Sequence, residues 1–111
     1  MIQASLRIVA PAERRDEIVQ SFRSLLEPTR VKHGCLSCRF FQDVSDENTL
    51  TYVEEWQTQE DLERHLRSEQ YRRHLALIDL SAAPPELKFH TVPETSGIEY
   101  LTAVRALDGH K

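Results

Sequence analysis

The sequence lacks the features that mark membrane, secreted and nucleic-acid-binding proteins. No apolar run approaches the ~18 residues that a membrane-spanning helix needs. The first residues show no charged segment followed by an apolar one, as a signal peptide would. Basic residues form no block and the net charge is −4, which argues against nucleic-acid binding. We therefore expect a cytoplasmic protein with no membrane and no nucleic-acid partner.

Cysteine is scarce, and the two present, Cys35 and Cys38, form a single C-x-x-C. A zinc site needs two more ligands at matching spacing, and there is no second C-x-x-C. A redox pair needs its first cysteine at a helix N-terminus, whereas residues 35–41 are typical of a strand. Residues three apart on a strand face opposite sides of the sheet. We predict two reduced structural cysteines on opposite faces.

The chain has 111 residues, of which 40% are hydrophobic and 29% charged, as expected of one globular domain. Residues 2–9 alternate between apolar and polar, which predicts a half-buried strand. Pro11 suits the first turn of a helix, and Pro28 should end or kink that helix near Glu27. The apolar stripe of this helix consists of Ile18, Phe22, Leu25 and Leu26.

A hairpin and a helix are predicted next. Residues 35–43 and 49–57 form two strands joined by a polar turn at 43–48. A helix over 59–67 begins at Thr58, with Asp61 three residues on, a spacing close to a capping box. One face of the third strand carries Leu50, Tyr52, Glu54 and Trp56, the last being the chain's single tryptophan.

The remainder of the chain predicts one more helix and one more strand. The helix begins at Ser68 and reaches about Leu80, and a fourth strand follows over residues 86–95. Gly97 then breaks the strand. Residues 98–107 are expected to form a fifth strand or an arm, and residues 108–111 a frayed tail. The helix stripe is predicted to comprise Tyr71, Leu75 and Ile78, with His74 and Leu77 on its border.

The order β-α-β-β-α-β is that of the ferredoxin-like fold, an α+β arrangement with a four-stranded antiparallel sheet. We assign residues 1–96 to this domain and residues 97–111 to a C-terminal extension strand or arm of the same domain. One sheet face keeps apolar residues but has no helices left to cover it: Val9, Phe41, Val53 and Val92. A second copy is the simplest cover, so we expect a homodimer, with the extension crossing to the partner or closing a sheet edge.

Several stretches resemble the antibiotic biosynthesis monooxygenase domain. They are residues 34–40, 43–48, 53–56 and 62–66, continuing through Tyr71, residues 85–87 and residues 97–100. The resemblance covers nearly the whole chain and implies a dimeric α/β barrel. It implies function less narrowly, because this scaffold hosts cofactor-independent monooxygenases of quinols and polycyclic phenols, haem-degrading enzymes and isomerases of small phosphorylated signals.

Two residues match the family's functional positions. Trp56 matches its strand-end tryptophan and His65 its helix histidine, which implies that both face a cavity between sheet and helices. Some oxygenases and haem-degrading members hold substrate with an asparagine, often on the first strand. The single asparagine here, Asn48, lies in the hairpin. Ser5 and Ser37 could replace that hydrogen bond only loosely, which weakens the oxygenase interpretation and lowers the haem-degrading one further.

Oxidation of a phenol by O₂ without a cofactor requires a base, a dry apolar pocket and polar groups that steady the developing charge. His65 is the candidate base because its ordinary pKa lies near working pH. Glu54 would orient His65 or act as a base itself, with Trp56 as the third catalytic residue. The candidate substrate-binding residues are Tyr52, Tyr71, His74, Phe89 and Ser5.

Simpler roles compete with these. Trp56 and His65 are also ordinary packing residues, and Glu54 could simply pair with Arg39 or Arg64. His33, His90 and His110 share no ligand spacing, so we assign no metal and no cofactor. The alternatives are a non-oxidative isomerase or binder of a small carbonyl metabolite, and a purely structural or assembly role.

Overall fold

The computed structural model describes residues 1–108, and these form a four-stranded antiparallel sheet with three helices packed on one face. The strand order is β2-β3-β1-β4, which confirms the predicted ferredoxin-like α+β fold. No helix within residues 1–108 is both long and apolar enough to cross a membrane. The strands are β1 (Ile2–Val9), β2 (Cys35–Gln42), β3 (Thr49–Trp56) and β4 (Glu86–Thr91). The helices are α1 (Arg15–Arg30), α2 (Gln59–Leu66), α3 (Arg72–Ile78) and α4 (Ile98–Asp108), with 3₁₀ turns at Ala12–Arg14 and Glu69–Tyr71.

The core lies between the sheet and α1, α2 and α3. The alternation of β1 and β3 points one set of side chains inward, as predicted. Phe22 of the α1 stripe is fully buried and stacks on Phe40 of β2, with ring centroids 4.9 Å apart. The buried core comprises Leu6, Ile8, Ala10, Ile18, Phe22, Leu25, Cys38, Leu50, Tyr52 and Leu77.

Of the two predicted effects of Pro28, an end of α1 near Glu27 is wrong, because the helix continues through Pro28 to Arg30; a kink stays a prediction. Thr29 is buried on the core side, and its hydroxyl accepts a hydrogen bond from Tyr52 at 3.3 Å. Arg30 donates from Nε to the carbonyl of Cys38 at 3.0 Å. These contacts with the sheet hold the last turn in spite of the backbone hydrogen bond that proline cannot make.

The predicted placement of the two cysteines on opposite faces is also wrong. Cys35 pairs with Trp56 and Cys38 pairs with Glu54, so one extra residue, Leu36, is accommodated in a β-bulge. Leu36 is 55% exposed. Trp56 and Glu54 share the buried face of β3, and the bulge therefore turns both cysteines towards the helices. Both are unbridged, and burial raises the pKa of Cys38 to about 12, which keeps it a thiol.

The predicted stripe of the helix after Ser68 is wrong in phase. Its buried residues are Tyr71, His74 and Leu77, whereas Leu75 is 49% exposed. The segment opens with a 3₁₀ turn, which has three residues per turn and shifts the inward face relative to a regular α-helix. Ser68 makes no side-chain cap; its hydroxyl donates to the carbonyl of His65 instead.

The end of the chain differs most from expectation. β4 stops at Thr91, and Ile98–Asp108 form a helix rather than a strand. Good helix formers fill this segment, and the Glu99 carboxylate accepts from the Gly97 N–H at 2.8 Å. The radius of gyration is 17.0 Å, against about 13 Å for a compact chain of this length, so α4 projects as an arm. The predicted tail covers residues 108–111; Asp108 instead ends α4, and residues 109–111 lie outside the described residues. The boundary at residue 96 stays a prediction.

Candidate functional site

A buried carboxylate is the centre of the site. Glu54 lies on β3, is 3% exposed, and accepts from Trp56 Nε1 at 3.0 Å through one oxygen. Its other oxygen lies 2.9 Å from Nε2 of His65, which is 2% exposed. Both partners are therefore in the core. We call Glu54 and the five residues around its carboxylate the Glu54 cluster: Tyr52, Glu54, Trp56, His65, Tyr71 and His74.

Local structure explains why His65 faces Glu54. Thr58 caps α2 by accepting from the N–H of Asp61 at 3.1 Å, and its hydroxyl donates to the Asp61 carboxylate at 2.8 Å. His65 follows Asp61 by four residues and so lies on the same inward side of the helix. Gly34 has φ +83° and lies against Asp61, where a Cβ would overlap the carboxylate. The close approach of this turn to α2 requires glycine.

Ring stacking fixes the orientation of the two histidines. His65 stacks on Trp56 with centroids 4.7 Å apart, and His74 stacks on Tyr71 at 4.7 Å and 10°. The imidazoles of His65 and His74 meet edge to face, with centroids 5.3 Å apart. Each imidazole is thus held by an aromatic partner, which restricts its rotation.

The second nitrogen of His65 contacts a lysine that the sequence analysis did not single out. Lys32 Nζ lies 2.9 Å from His65 Nδ1 and 3.0 Å from the Ser68 hydroxyl oxygen. Because an ammonium group only donates, Nδ1 accepts this bond. Nε2 then carries the hydrogen that Glu54 accepts. The pair has the arrangement of a carboxylate that orients a basic imidazole.

His74 connects the cluster to a second buried polar group. Its Nε2 lies 3.1 Å from the Tyr52 hydroxyl and 3.7 Å from the Glu54 carboxylate. The Tyr52 hydroxyl also contacts Thr29 at 3.3 Å and Cys38 Sγ at 3.0 Å. A continuous set of polar contacts therefore runs from Lys32, at the surface side, to the interior of the sheet–helix layer.

Burial and neighbouring charges set the protonation states of these groups. Burial alone would raise the pKa of Glu54, but hydrogen bonds from His65 and Trp56 outweigh it and leave that pKa lowered. Burial raises the pKa of Tyr71 to about 12 and raises the pKa of Tyr52 further, with Glu54 adding to both. Burial lowers the pKa of His74 to about 4. At neutral pH the cluster holds a carboxylate, two phenols and an uncharged His74.

Two spaces adjoin the cluster, one on each side. The inner void is about 10 Å³, enough for about one water molecule, so the layer between sheet and helices is nearly filled. It is bounded by Ala4, Leu6, Tyr52, Glu54, Tyr71, His74 and Leu87. The outer cavity is about 270 Å³, near the lower end of the ~300–1,000 Å³ typical of ligand sites. It is lined by Lys32, His33, Trp56, Asp61, Arg64, His65 and Ser68.

The structure brings six of the eight candidate residues together in the Glu54 cluster, and two lie elsewhere. Phe89 is about half exposed and lines a separate groove with Leu62 and Leu66. Ser5 pairs with Val53 and Lys88 on the sheet face opposite the helices.

Two of the simpler pairings considered for the site are also settled by geometry. Glu54 pairs with neither Arg39 nor Arg64. Arg39 lies opposite Val53 on the other face of the sheet, and Arg64 bonds Asp61 at 3.0 Å. Ser37, on the open sheet face, donates to Glu55 at 2.6 Å and so is not in the pocket.

Glu54, His65 and His74 also bring three potential metal ligands within 4.8 Å of one another. One carboxylate and two imidazoles are ligands that zinc or iron accepts. No sequence spacing marks this set, because its three members come from three different elements: β3, α2 and α3. In the present arrangement a metal would have to displace the hydrogen bond between His65 Nε2 and Glu54.

The sheet order and the buried cluster define an α+β protein of the ferredoxin-like class with a candidate site under one end of β3. The model of the antibiotic biosynthesis monooxygenase family matches residues 1–77, and the chain belongs to this family. The matched segment includes Glu54, Trp56, His65 and His74. The resemblance in the sequence is therefore confirmed, and members of the family are typically dimeric.

Solved structures confirm the fold. A Deinococcus radiodurans protein named for antibiotic biosynthesis monooxygenases is 20% identical, covers 87% of this chain and 97% of its own, and has a TM-score of 0.79. A Mycobacterium tuberculosis protein is 16% identical, with coverages of 86% and 98% and a TM-score of 0.77. A curated relative, an uncharacterized protein of Synechocystis, is 26% identical over 84 residues. That match covers 75% of this chain and 57% of the Synechocystis protein.

The lowered pKa of His74 predicts a specific acid sensitivity. Between pH 6.5 and about 4 the unfolded chain protonates this histidine and the folded chain does not, so the free energy of unfolding falls as pH falls. The shift corresponds to a loss of about 2 kcal/mol between pH 7 and pH 5. Urea unfolding of His74→Gln should show a smaller loss over this interval, and His90→Gln, at an exposed histidine, the same loss as the parent. An equal loss in His74→Gln would contradict the assignment.

Proposed function

We propose that this protein is a cofactor-independent monooxygenase that oxidises a small aromatic compound, a quinol or a polyketide-like phenol, with O₂. His65 is the general base and Glu54 positions it. The observation that carries the proposal is the buried 2.9 Å contact between Glu54 and His65 Nε2 in a member of this family. Such a pair leaves the Nδ1 lone pair as the basic site, directed to the outer cavity.

The proposed proton transfer depends on the direction of the hydrogen bond between His65 and Glu54. A phenolic O–H takes the place of Lys32 at Nδ1 and transfers its proton there. The imidazolium that forms is stabilised by the Glu54 carboxylate at Nε2. This electrostatic stabilisation is largest in a buried site. Trp56 supplies aromatic surface in the outer cavity. The phenols of Tyr52 and Tyr71, on the inner side of the cluster, stay protonated because their pKa values are raised.

The oxidation itself needs only the substrate and O₂. The electron-rich phenolate supplies all the electrons and reacts with O₂ at a ring carbon. His65 returns the phenolic proton to the resulting peroxide, and this proton and the single hydrogen of that ring carbon leave with one oxygen atom as water. The other oxygen atom remains in the product as a carbonyl. The protein's contribution is to hold the anion in a cavity with limited water and to take up the phenolic proton.

A second candidate is a non-oxidative isomerase or binder of a small carbonyl metabolite on the same scaffold. The observation that favours it is the polar side of the outer cavity, where Lys32, Arg64 and Ser68 suit a small polar ligand. The outer cavity of about 270 Å³ also suits a small ligand better than a large polycyclic one.

Oxygen uptake tests the proposed activity. Chelator-treated protein is mixed with hydroquinones and anthrone-like phenols, and O₂ consumption is compared with the spontaneous rate. His65→Gln should lower the protein-dependent rate about 10²–10⁴-fold, because it removes the general base. Glu54→Gln should lower it too, since the neutral amide no longer stabilises the imidazolium. His90→Gln is the matched control and should retain the rate. Uptake at the spontaneous rate for every compound would move the assignment to the isomerase or binder.

We also propose that the protein is a homodimer built on the open sheet face. Phe41 is 50% exposed there, and Val9 and Val53 lie on the same face of neighbouring strands. The projecting helix α4 adds further exposed apolar side chains, among them Ile98, Tyr100, Leu101, Val104 and Leu107. A second copy related by two-fold symmetry covers both sets, in agreement with the family's typical dimer.

The mass in solution tests this assembly. Light scattering coupled to size-exclusion chromatography should give twice the chain mass of 12.9 kDa. Phe41→Glu places a charge on the apolar sheet face proposed as the interface and should shift the protein towards monomer. Val44→Glu, in the solvent-exposed hairpin turn, should leave the mass unchanged. A parent protein that elutes as a monomer at micromolar concentration would contradict the proposal.

A further inference from the structure

Lys32 is a cation in the outer cavity that makes no ion pair with residues 1–107. No carboxylate oxygen in that range lies within 4.0 Å of its nitrogen, and its two hydrogen-bond partners, His65 and Ser68, contribute neutral atoms. The acidic residue of the cavity wall, Asp61, is already bonded by Arg64 and Thr58. The ammonium has three donors, so two contacts leave it able to bind a further acceptor. The Glu54 carboxylate attracts this charge only from behind the His65 ring, so the ammonium has no direct ionic contact with it.

The backbone around Lys32 is fixed while its side chain is long and adaptable. The N–H of Lys32 donates to the carbonyl of Thr29 at 3.1 Å, and its carbonyl accepts from Cys35 at 3.1 Å. The next turn is tied to the sheet by the bond from Gln57 to Gly34 at 2.8 Å. The ammonium can therefore change partners by side-chain rotation alone, without movement of the loop.

We propose that Lys32 is the anion-binding group of this cavity, and that the ligand is an acidic aromatic compound whose carboxylate or phenolate oxygen replaces His65 Nδ1 as the partner of the Lys32 ammonium. Trp56 and His65, stacked at the base of the cavity, give the aromatic part of the ligand its contact surface. The inference rests on the proposed function only where it concerns the reaction of the bound ligand. Binding of the anion itself does not depend on whether the protein is an oxygenase.

The same displacement would prepare the base. While Lys32 donates to Nδ1, the lone pair of His65 is occupied. A ligand anion that draws the ammonium away exposes Nδ1 to the ligand's own phenolic hydrogen. Lys32 then acts as a positioning and charge-stabilising residue: it selects acidic ligands and releases the base only when one is bound. Burial lowers the pKa of Lys32 and attraction to Glu54 opposes this effect, so an incoming anion would strengthen its charged form.

Ligand binding without turnover tests the inference. The chain has one tryptophan, Trp56, which lines the cavity, so intrinsic fluorescence reports binding there. Under anaerobic conditions the protein is titrated with 4-hydroxybenzoate and with its neutral methyl ester. The parent should bind the anion at least tenfold more tightly than the ester. Lys32→Met should lose that preference, a tenfold change in Kd that corresponds to about 1.4 kcal/mol, and should bind the ester as the parent does.

Two control variants separate charge from folding. Lys32→Arg keeps the charge and should keep the preference for the anion. Lys88→Met removes a lysine on exposed β4, away from the cavity, and should behave like the parent. An undiminished anion preference in Lys32→Met, or no saturable binding of either compound by the parent, would overturn the inference. Lys32-dependent binding without oxygen uptake would refute the oxygenase and leave the anion site in place. Oxygen uptake that depends on His65, together with unchanged anion binding in Lys32→Met, would support the oxygenase and refute the anion site.

Discussion

The burial of the Glu54 carboxylate is the constraint on which the rest of the site depends. An ionised carboxylate in a protein core costs several kcal/mol unless charges and hydrogen bonds compensate it. Here the compensation comes from Trp56 Nε1 and His65 Nε2. Loss of either partner would leave a buried acceptor under-satisfied, at an expected cost of about 1–3 kcal/mol or more for a charged group. The positions of β3 and α2 are therefore set by polar contacts as well as by apolar packing.

The contacts that stabilise the cluster are also those that give it chemistry. Because Glu54 accepts from Nε2, the basic nitrogen of His65 is Nδ1. The outer cavity, which Lys32 lines, lies beside this nitrogen. The inner side of the cluster is closed by Tyr52, Tyr71 and His74. Stability and reactivity are thus coupled through one imidazole, and the site is reached from the α1–β2 turn rather than from between the sheet and α3.

Much of this arrangement follows from local sequence patterns. The alternation along β3 placed Glu54 and Trp56 on one face, and the Thr58 cap fixed the start of α2 and hence the inward direction of His65. Both depend on interactions within a few residues. The bulge at Leu36 and the passage of α1 through Pro28 depend on pairing and packing with distant strands, which no local pattern contains.

The features that the sequence did not reveal have the same explanation. His74, expected only on the border of its helix stripe, faces inward because a 3₁₀ turn shifts the phase of α3, and a regular helical period does not show this. Lys32 contacts a histidine 33 residues away in the chain, and a single lysine in a turn has no distinguishing spacing. Residues 98–107 were expected to form a strand or an arm. The structure shows that they form a helix, α4, which projects as an arm.

The tautomer of His65 is the measurement that tests the central claim most directly. Long-range ¹H–¹⁵N correlation spectra of the ¹⁵N-labelled protein at neutral pH distinguish the two ring nitrogens, and His65→Gln assigns the signals. The account predicts that Nε2 is protonated and hydrogen-bonded, that Nδ1 is unprotonated, and that Glu54→Gln alters the Nε2–H signal most. A His65 protonated at Nδ1 instead would contradict the account, because Glu54 could then not accept from Nε2 and the basic nitrogen would face away from the cavity.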